Sequence, residues 1–156
     1  MNPHEQVIHR FYESFGARNA EAMIECYHPD VVFSDPVFGQ LAAADAKDMW
    51  RMLCARATDL AITFDAVSAT QTEGSAHWDA RYSFSKTGRP VHNVIEASFT
   101  FYDGKIVRHA DRFSFWKWAA QALGPAGVFL GWTPLIRAAV RKEARRGLEE
   151  YLRQGT

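Results

Sequence analysis

The sequence contains little cysteine and has no excess of charge of either sign. Its two cysteines, Cys26 and Cys54, are too few for a disulfide framework, and no Cys-x-x-Cys or histidine-rich spacing predicts a zinc site. Lys plus Arg and Asp plus Glu both number 18, so no overall field favours nucleic acid or an acidic membrane. We therefore expect no metal, no cofactor and no nucleic-acid partner.

The N-terminus lacks a basic region followed by an apolar run, which predicts no secretory signal and, by default, a cytoplasmic protein. Hydrophobic residues make up 47% and charged residues 23% of the chain, which is typical of one globular domain and not of a disordered segment. Aromatic residues are abundant, with eleven Phe, five Trp and five Tyr. Such residues fill cores and line apolar ligand pockets.

The first third of the chain has helical periodicity. Apolar residues in the stretch 7–15 recur with the spacing of one helix face. Asn19 can cap a second helix, which carries Tyr27, and a third helix is predicted to begin near Asp45 with a capping-box-like pattern. Between the second and third helices, residues 31–34 form a short β-branched run typical of a strand.

From Leu60 onward the hydrophobic period changes to two. Alternation slips in phase near Ala66-Val67, which indicates a bulge. Helices followed by an antiparallel meander predict an α+β domain in which the helices pack on one face of a curved sheet. The predicted strands of the meander are residues 60–67, 76–85, 91–101 and 105–115.

Asp111 is the residue of greatest chemical interest in the last strand. Asp111 and His109 share the parity of their apolar neighbours, so the sequence predicts both on the inward face. A carboxylate on an apolar face is costly to ionise unless it is paired, and it is therefore a candidate acid or base. A structural ion pair with Arg108 or Arg112 is the open alternative.

Asp35 has a similar ambiguity. An Asp before Pro at the end of a strand is commonly a turn residue. Asp35 nevertheless has the same parity as Phe33, so the two side chains are expected on the same face. Two acids aimed at one aromatic-lined cavity would provide the groups needed for proton transfer.

Several short motifs together form a recognisable pattern: Phe11-Tyr12-Glu13, Tyr27-His28-Pro29-Asp30, Phe33-Ser34-Asp35-Pro36, Trp78, and the run from Asp103-Gly104-Lys105 to Asp111. This pattern resembles the nuclear transport factor 2-like superfamily, and its last stretch resembles the SnoaL-like polyketide cyclases and the limonene epoxide hydrolases. The resemblance implies, for residues 1–116, a cone in which a curved, mostly antiparallel sheet wraps around N-terminal helices and encloses a pocket.

The resemblance to ketosteroid isomerases places their general base on Asp35. Their oxyanion-hole tyrosine falls on Phe11, with Tyr12 one step around the same helix, and their neutral carboxylic acid falls on Ala97. The base is therefore retained, and the two oxyanion donors are replaced by residues without a polar group.

The resemblance to the cyclases and epoxide hydrolases places their last-strand acid on Asp111, while the hydrolases' Arg-x-Asp pair falls on Trp78 and Ala80. It implies an isomerase, cyclase or hydrolase type of acid-base chemistry on a small apolar substrate, with Asp111 and Asp35 catalytic. A non-catalytic ligand-binding or dimerisation module is the alternative. The residues expected to line the substrate site are His109, Trp78, Phe11, Tyr12, Tyr27, Trp50, Phe33, Tyr82 and Ala97.

Residues 117–156 extend the chain beyond the cone but are expected to belong to the same domain. Nineteen residues, 118–136, carry no charge, which is nominally enough to cross a bilayer, but glycines and prolines interrupt them. We interpret this stretch as a broken apolar cover for the pocket mouth or a dimer partner. The basic amphipathic helix that follows could rest on anionic lipid, and we favour a docked helix with a solvated face.

Two further expectations concern the sheet. A two-residue turn at Asp103-Gly104 would place Glu96 beside Asp111, whereas a three-residue turn with a glycine bulge would place Ala97 there. The continuous apolar surface favours the bulged version. The outward face carries charges of both signs, which suits a self-complementary interface, and together with the resemblance it predicts a homodimer.

Overall fold

The computed structural model describes residues 1–154 as six helices and six strands. The helices are α1 (Pro3–Gly16), α2 (Ala20–Glu25), α3 (Ala43–Arg56), α4 (Phe115–Leu123), α5 (Pro125–Leu130) and α6 (Pro134–Gln154). The strands are β1 (Tyr27–Asp35), β2 (Gly39–Leu41), β3 (Ala61–Ala69), β4 (Glu73–Ser83), β5 (Pro90–Tyr102) and β6 (Lys105–Arg112).

The six strands form one sheet in the order β2-β1-β6-β5-β4-β3. Every neighbouring pair is antiparallel except β1 and β6, which are parallel. The buried face of α1, formed by Ile8, Phe11, Tyr12 and Phe15, belongs to the core shared with the sheet. The predicted α+β fold, a mostly antiparallel sheet around N-terminal helices, is confirmed.

Capping residues determine where α1 and α2 begin, and the pairing of β1 with β6 determines where α2 ends. Asn2 forms a capping box with Glu5, and Asn19 accepts a hydrogen bond from the Ala22 amide as expected. The prediction that Tyr27 lies on the second helix is wrong: α2 ends at Glu25, and Tyr27 is the first residue of β1, opposite Ile106. Pairing with β6 extends the strand upstream of its β-branched run, which local sequence cannot reveal.

The third helix also departs from its predicted start. It begins at Ala43, and its N-cap residue Ala42 makes no side-chain capping bond. Asp45 lies within the first turn, where a carboxylate is stabilised by the helix dipole. Asp48 accepts a 3.0 Å hydrogen bond from Arg51 and takes no part in a cap.

The last strand is shorter than predicted. β6 ends at Arg112, and Phe115 is the first residue of α4. The reason is Ser114, whose hydroxyl accepts a hydrogen bond from the Lys117 amide and caps α4.

The predicted register, with Ala97 opposite Asp111, is confirmed. The turn that produces this register differs from the predicted three-residue turn. Asp103 and Gly104 form a two-residue turn with φ of 54° and 74°, the positive values that a tight hairpin requires. A bulge follows between Phe101 and Thr100 and shifts the register by one residue. Ala97 therefore lies opposite Asp111, while Glu96 lies opposite Arg112 on the outward face.

The C-terminal helices pack closely on each other and on the sheet. A Cβ added to Gly127 of α5 would lie 1.9 Å from the carbonyl oxygen of Ala119 in α4, so only glycine permits this approach. α6 contacts α3 and the turn between β1 and β2. Among residues 1–154, no helix combines the length and the apolar character needed to cross a membrane.

The close approach at Gly127 generates a stability prediction. Gly127→Ala should destabilise the protein by roughly 2 kcal/mol, because the added methyl group forces backbone atoms apart. Gly147→Ala is the matched control: Gly147 lies in α6 with no neighbouring atom within 4 Å of an added Cβ. This variant should gain about 0.5–1 kcal/mol from helix propensity. Urea unfolding of both variants measures the difference, and equal effects would contradict the prediction.

Candidate functional site

Adjacent strands bring the two predicted carboxylates to one face of the sheet. In the parallel pair, Phe33 lies opposite His109 and Ser34 opposite Ala110. If this register is continued by one residue, Asp35 at the end of β1 points toward Asp111 on β6. The two carboxylates are close enough to interact, because the charge of Asp111 adds to the effect of burial in raising the pKa of Asp35.

A chain of buried hydrogen bonds connects Asp111 to helix α3. The indole N–H of Trp50 donates to Tyr27 Oη at 2.9 Å, and Tyr27 Oη lies 2.8 Å from His109 Nδ1. His109 Nε2 lies 3.0 Å from Asp111 Oδ1. The indole N–H of Trp78 donates to the same carboxylate oxygen at 3.3 Å. Five predicted site residues are thus joined in one continuous network.

The directions of these bonds follow from the two tryptophans, since an indole can only donate. Because Trp50 donates to the Tyr27 oxygen, the Tyr27 hydroxyl proton is available to His109 Nδ1. A neutral His109 then carries its proton on Nε2 and donates it to the Asp111 carboxylate. With this tautomer, each hydrogen bond between Trp50 and Asp111 has one donor and one acceptor.

The ion pair considered as a structural role for Asp111 is absent from the described structure. Arg108 and Arg112 are exposed and lie at register positions opposite Thr100 and Glu96. Asp111 itself is 5% exposed, and its hydrogen bonds run to His109 and Trp78. The strand alternation separates the arginines from Asp111 by placing them on the other face.

Asp35 combines both roles that its sequence position allows. Its Oδ1 accepts hydrogen bonds from the amides of Val37 and Phe38 at 2.9 and 2.6 Å, which shapes the turn after β1. Burial raises the pKa of Asp35 from 3.8 to about 7, against the lowering effect of the Phe38 amide. Asp35 is thus a turn residue whose carboxyl group exchanges a proton near neutral pH.

Helix α1 contributes an unpartnered hydroxyl to the same interior. Tyr12 is 1% exposed, and its oxygen has no hydrogen-bond partner among residues 1–154. Burial, followed by the charge of Asp111, raises its pKa well above the usual value, so the hydroxyl keeps its proton. Phe11, by contrast, packs its ring against Tyr27 and His109. Tyr12 is therefore the donor that α1 presents to the interior.

Other predicted residues surround this network without polar contacts. Phe33 packs its ring edge against both Trp50 and His109, and Ala97 lies opposite Asp111. Tyr82 lies apart from the network, where its hydroxyl accepts a 2.8 Å hydrogen bond from Trp118 of α4. Asp111 and His109 are only 5% and 1% exposed, so a ligand would reach them only after neighbouring side chains move.

The C-terminal helix covers the turn that carries Asp35, through contacts that the sequence did not reveal. Arg145 donates to the carbonyl oxygens of Phe38 and Gln40 at 3.2 and 2.8 Å. The charge of Arg141 acts on Asp35 and slightly opposes the rise of its pKa. These contacts join residues more than a hundred positions apart. In the sequence, only the basic character of α6 hinted at these contacts.

A hollow lies elsewhere on the surface, between the ends of β4 and β5 and helix α4. It has a volume of about 460 Å³, and neither Asp35 nor Asp111 lines it. In the described part of the chain, His, Cys, Asp and Glu side chains form no group of three or more that could hold a metal ion. The lining of the hollow consists of Asp59, Arg81, Tyr82, Ser83, Pro90, Val91, His92 and Gln121.

Comparison with known proteins identifies a family and a shared fold. Residues 8–109 match the family described as SnoaL-like domain. A putative polyketide cyclase from Xanthomonas campestris pv. campestris superposes with a TM-score of 0.64 at 17% identity, over 76% of this chain and 96% of the other. No curated protein sequence matches the chain.

Two further solved structures support the fold. A Mycobacterium tuberculosis LEH-like epoxide hydrolase superposes with a TM-score of 0.65 at 11% identity, over 82% of this chain and 96% of the other. A hypothetical protein with a ketosteroid isomerase-like fold from Catenulispora acidiphila, in complex with trimethylamine, has a TM-score of 0.66 at 14% identity, over 82% and 97%. At these identities the likeness concerns the fold alone.

The raised pKa of Asp35 generates a prediction about stability and pH. Because the folded-state pKa of about 7 lies above the ordinary value of 3.8, the favourable contribution of protonated Asp35 is complete below about pH 4 and is lost as the pH rises through about 7. Asp35→Asn cannot ionise and keeps an oxygen for the turn. The variant should match the wild type near pH 4 and exceed its stability above pH 7 by up to roughly 4 kcal/mol.

Urea unfolding of the wild type and the Asp35→Asn variant between pH 4 and pH 8 measures this difference. A stability difference that stays constant over the whole range would show that Asp35 ionises in the folded protein as it does in the unfolded chain.

Proposed function

The chain belongs to the SnoaL-like domain family, and from this premise we propose that it is an enzyme performing acid-base chemistry on a small apolar substrate. Asp111 is the principal acid or base and Asp35 the second carboxylate. Isomerase, cyclase and hydrolase types of reaction all depend on proton transfer at such a pair. A non-catalytic binding module of the same fold is the competing function.

The observation that carries the proposal is the buried chain of hydrogen bonds from Trp50 through Tyr27 and His109 to Asp111. A polar network in a core is expensive, and well-packed apolar residues of similar volume are often as stable or more so. A network that ends on a carboxylate beside a second carboxyl group is the arrangement that proton transfer requires.

In the proposed mechanism, the Asp111 carboxylate accepts a proton from the substrate. His109 holds that carboxylate in position through Nε2, and Tyr27 fixes the imidazole through Nδ1. As Asp111 takes up the proton, the negative charge moves to the substrate. The hydroxyl of Tyr12, which remains protonated, is the available donor to a developing oxyanion.

Asp35 completes the proton balance. With a pKa of about 7 it is present in both protonation states near neutral pH, so it can return a proton to another atom of the substrate. The apolar rings of Phe33, Trp50 and Trp78 around the carboxylates favour a substrate that is itself largely apolar. Both carboxylates are then restored when Asp111 passes its proton to Asp35 or to water.

The proposal predicts the effect of Asp111→Asn. The amide keeps the shape of the side chain and can still accept from Trp78, but it cannot accept a proton, so turnover should fall by about 100-fold or more. A suitable probe is a nitrobenzisoxazole, a small apolar carbon acid whose ring opens to a coloured phenolate when a base removes its proton. Initial rates and thermal unfolding are measured together.

Asp103→Asn is the matched control, because Asp103 is an exposed turn residue at φ 54°, which asparagine tolerates. Its turnover should equal that of the wild type. Asp111→Asn and Asp35→Asn variants that bind apolar ligands normally and turn over the probe no differently from the wild type, with Asp111→Asn also more stable, would support the non-catalytic module.

We further propose that the protein forms a homodimer through the outward face of the sheet. That face holds an interlinked set of charges: His77 lies 2.6 Å from Glu96 and 2.9 Å from Asp79, and His92 lies 3.2 Å from Asp79. The hydrogen bond to Glu96 raises the pKa of His77. Groups of both signs on one face can pair with their copies across a two-fold axis.

Light scattering at micromolar protein and physiological salt should give twice the chain mass of 17.7 kDa. Arg108→Glu, which reverses one charge of the outward face, should shift the mass toward the monomer because it breaks the match of opposite charges. A monomer mass for the wild type would exclude this dimer.

A further inference from the structure

One end of the C-terminal segment exposes a cluster of large apolar side chains, which we call the apolar tip. It is formed by the start of α4, by α5 and by the start of α6, and the exposed fractions of its side chains lie between 41% and 77%. Large contiguous apolar surfaces on a protein mark interaction sites. The members of the apolar tip are Trp116, Val128, Phe129, Leu130, Trp132 and Leu135.

The carbonyl groups at the end of α5, within the apolar tip, have hydrogen-bond partners in the protein. The last four carbonyl groups of a helix ordinarily lack an intrahelical partner and turn to solvent. In α5, the Gly127 carbonyl accepts from the Gly131 amide at 2.9 Å. The Leu130 carbonyl accepts from both the amide and the hydroxyl of Thr133, at 2.9 and 2.6 Å.

The two exposed tryptophans satisfy the remaining carbonyls of α5. The indole N–H of Trp116 donates to the Val128 carbonyl at 3.0 Å, and that of Trp132 donates to the Phe129 carbonyl at 2.9 Å. The polar atoms of both rings are thereby paired within the protein. Because these four carbonyls and both indoles are paired, this part of the surface can enter an apolar medium without leaving those groups unpaired.

The chain segment that carries the apolar tip has charges of one sign. Residues 113–142 contain four cations, Lys117, Arg137, Arg141 and Lys142, and no acidic residue, in a chain whose overall net charge is zero. Lys142 is exposed and lies two turns after Leu135 on the same side of α6. The apolar tip is therefore bordered by positive charge.

We infer that the apolar tip docks on the surface of an anionic lipid bilayer. Aromatic and aliphatic side chains enter the boundary between headgroups and acyl chains, while the bordering cations contact the anionic headgroups. The sequence favoured a solvated face for α6, but the exposure of Phe129, Trp132 and Leu135 became visible only in the structure. Because no helix of residues 1–154 could cross a membrane, the inferred contact is confined to the surface.

A second copy of the chain is a poorer occupant for the apolar tip. A two-fold contact there would bring Lys142 and Arg137 toward the same residues of the copy, and like charges facing each other oppose association. The proposed dimer uses the outward face of the sheet instead. The apolar tip shares no residue with the carboxylate site, so lipid binding and catalysis can be tested separately.

Vesicle pelleting tests the inference with the full chain. The probe is a set of extruded vesicles of phosphatidylcholine with 30% phosphatidylglycerol, compared with phosphatidylcholine alone. The wild type should pellet with the anionic vesicles and dissociate as salt is raised, because the cations are screened. Phe129→Ser combined with Trp132→Ser should weaken the partition by about tenfold or more, since both apolar anchors are lost.

Tyr102→Ser is the matched control. Tyr102 is 66% exposed, about as much as Trp132 at 69%, but it lies in the hairpin of β5 and β6, outside the apolar tip. It should bind vesicles as the wild type does. Equal binding of the tip variant and the wild type, or no pelleting of the wild type, would overturn the inference. Light scattering without lipid completes the test: a fall in mass on changing the tip alone would assign it to self-association.

Discussion

The parallel pairing of β1 with β6 joins two strands that are separated by some seventy residues of chain. Phe33 opposite His109 sets the register, and it brings Asp35 close enough to Asp111 for the charge of Asp111 to raise the pKa of Asp35. The same pairing begins at Tyr27, opposite Ile106, which brings the Tyr27 hydroxyl within reach of the His109 imidazole. A slip of one residue would turn one set of these side chains to the outward face and separate the two carboxylates.

Several polar side chains lie in the interior of the protein, where apolar side chains would be expected. Asp111 and His109 are almost fully buried, and both are hydrogen-bonded, so their burial is tolerated. Tyr12 has no partner among the described residues, and Asp35 prefers to hold a proton because it is desolvated. Such unmet requirements lower stability and are typical of places where a ligand provides the missing contact. They are also the features that a purely structural core would avoid.

The C-terminal segment, α4 to α6, contacts the rest of the protein with one side and exposes the apolar tip on the other. On its inner side, Arg145 holds the turn that contains Asp35, and Trp118 reaches the Tyr82 hydroxyl. On its outer side, it exposes the apolar tip, in a segment whose charged residues are all cations up to Lys142. Gly127 and Ala119 lie in close contact, which holds α4 and α5 against each other. Asp111 is only 5% exposed, so a ligand can reach it only if side chains around it move.

Local signals in the sequence determined the type and order of most elements, because helix and strand periods, the Asn19 cap and the alternation of β4 depend on near neighbours. They also placed Asp111 and His109 on one inward face. Only tertiary structure decided the partners, since hydrogen bonds such as Trp50 to Tyr27 depend on packing between distant segments. The end of α2 before Tyr27 and the exposure of the apolar tip have the same cause: burial and strand pairing are properties of the assembled chain, which no local pattern encodes.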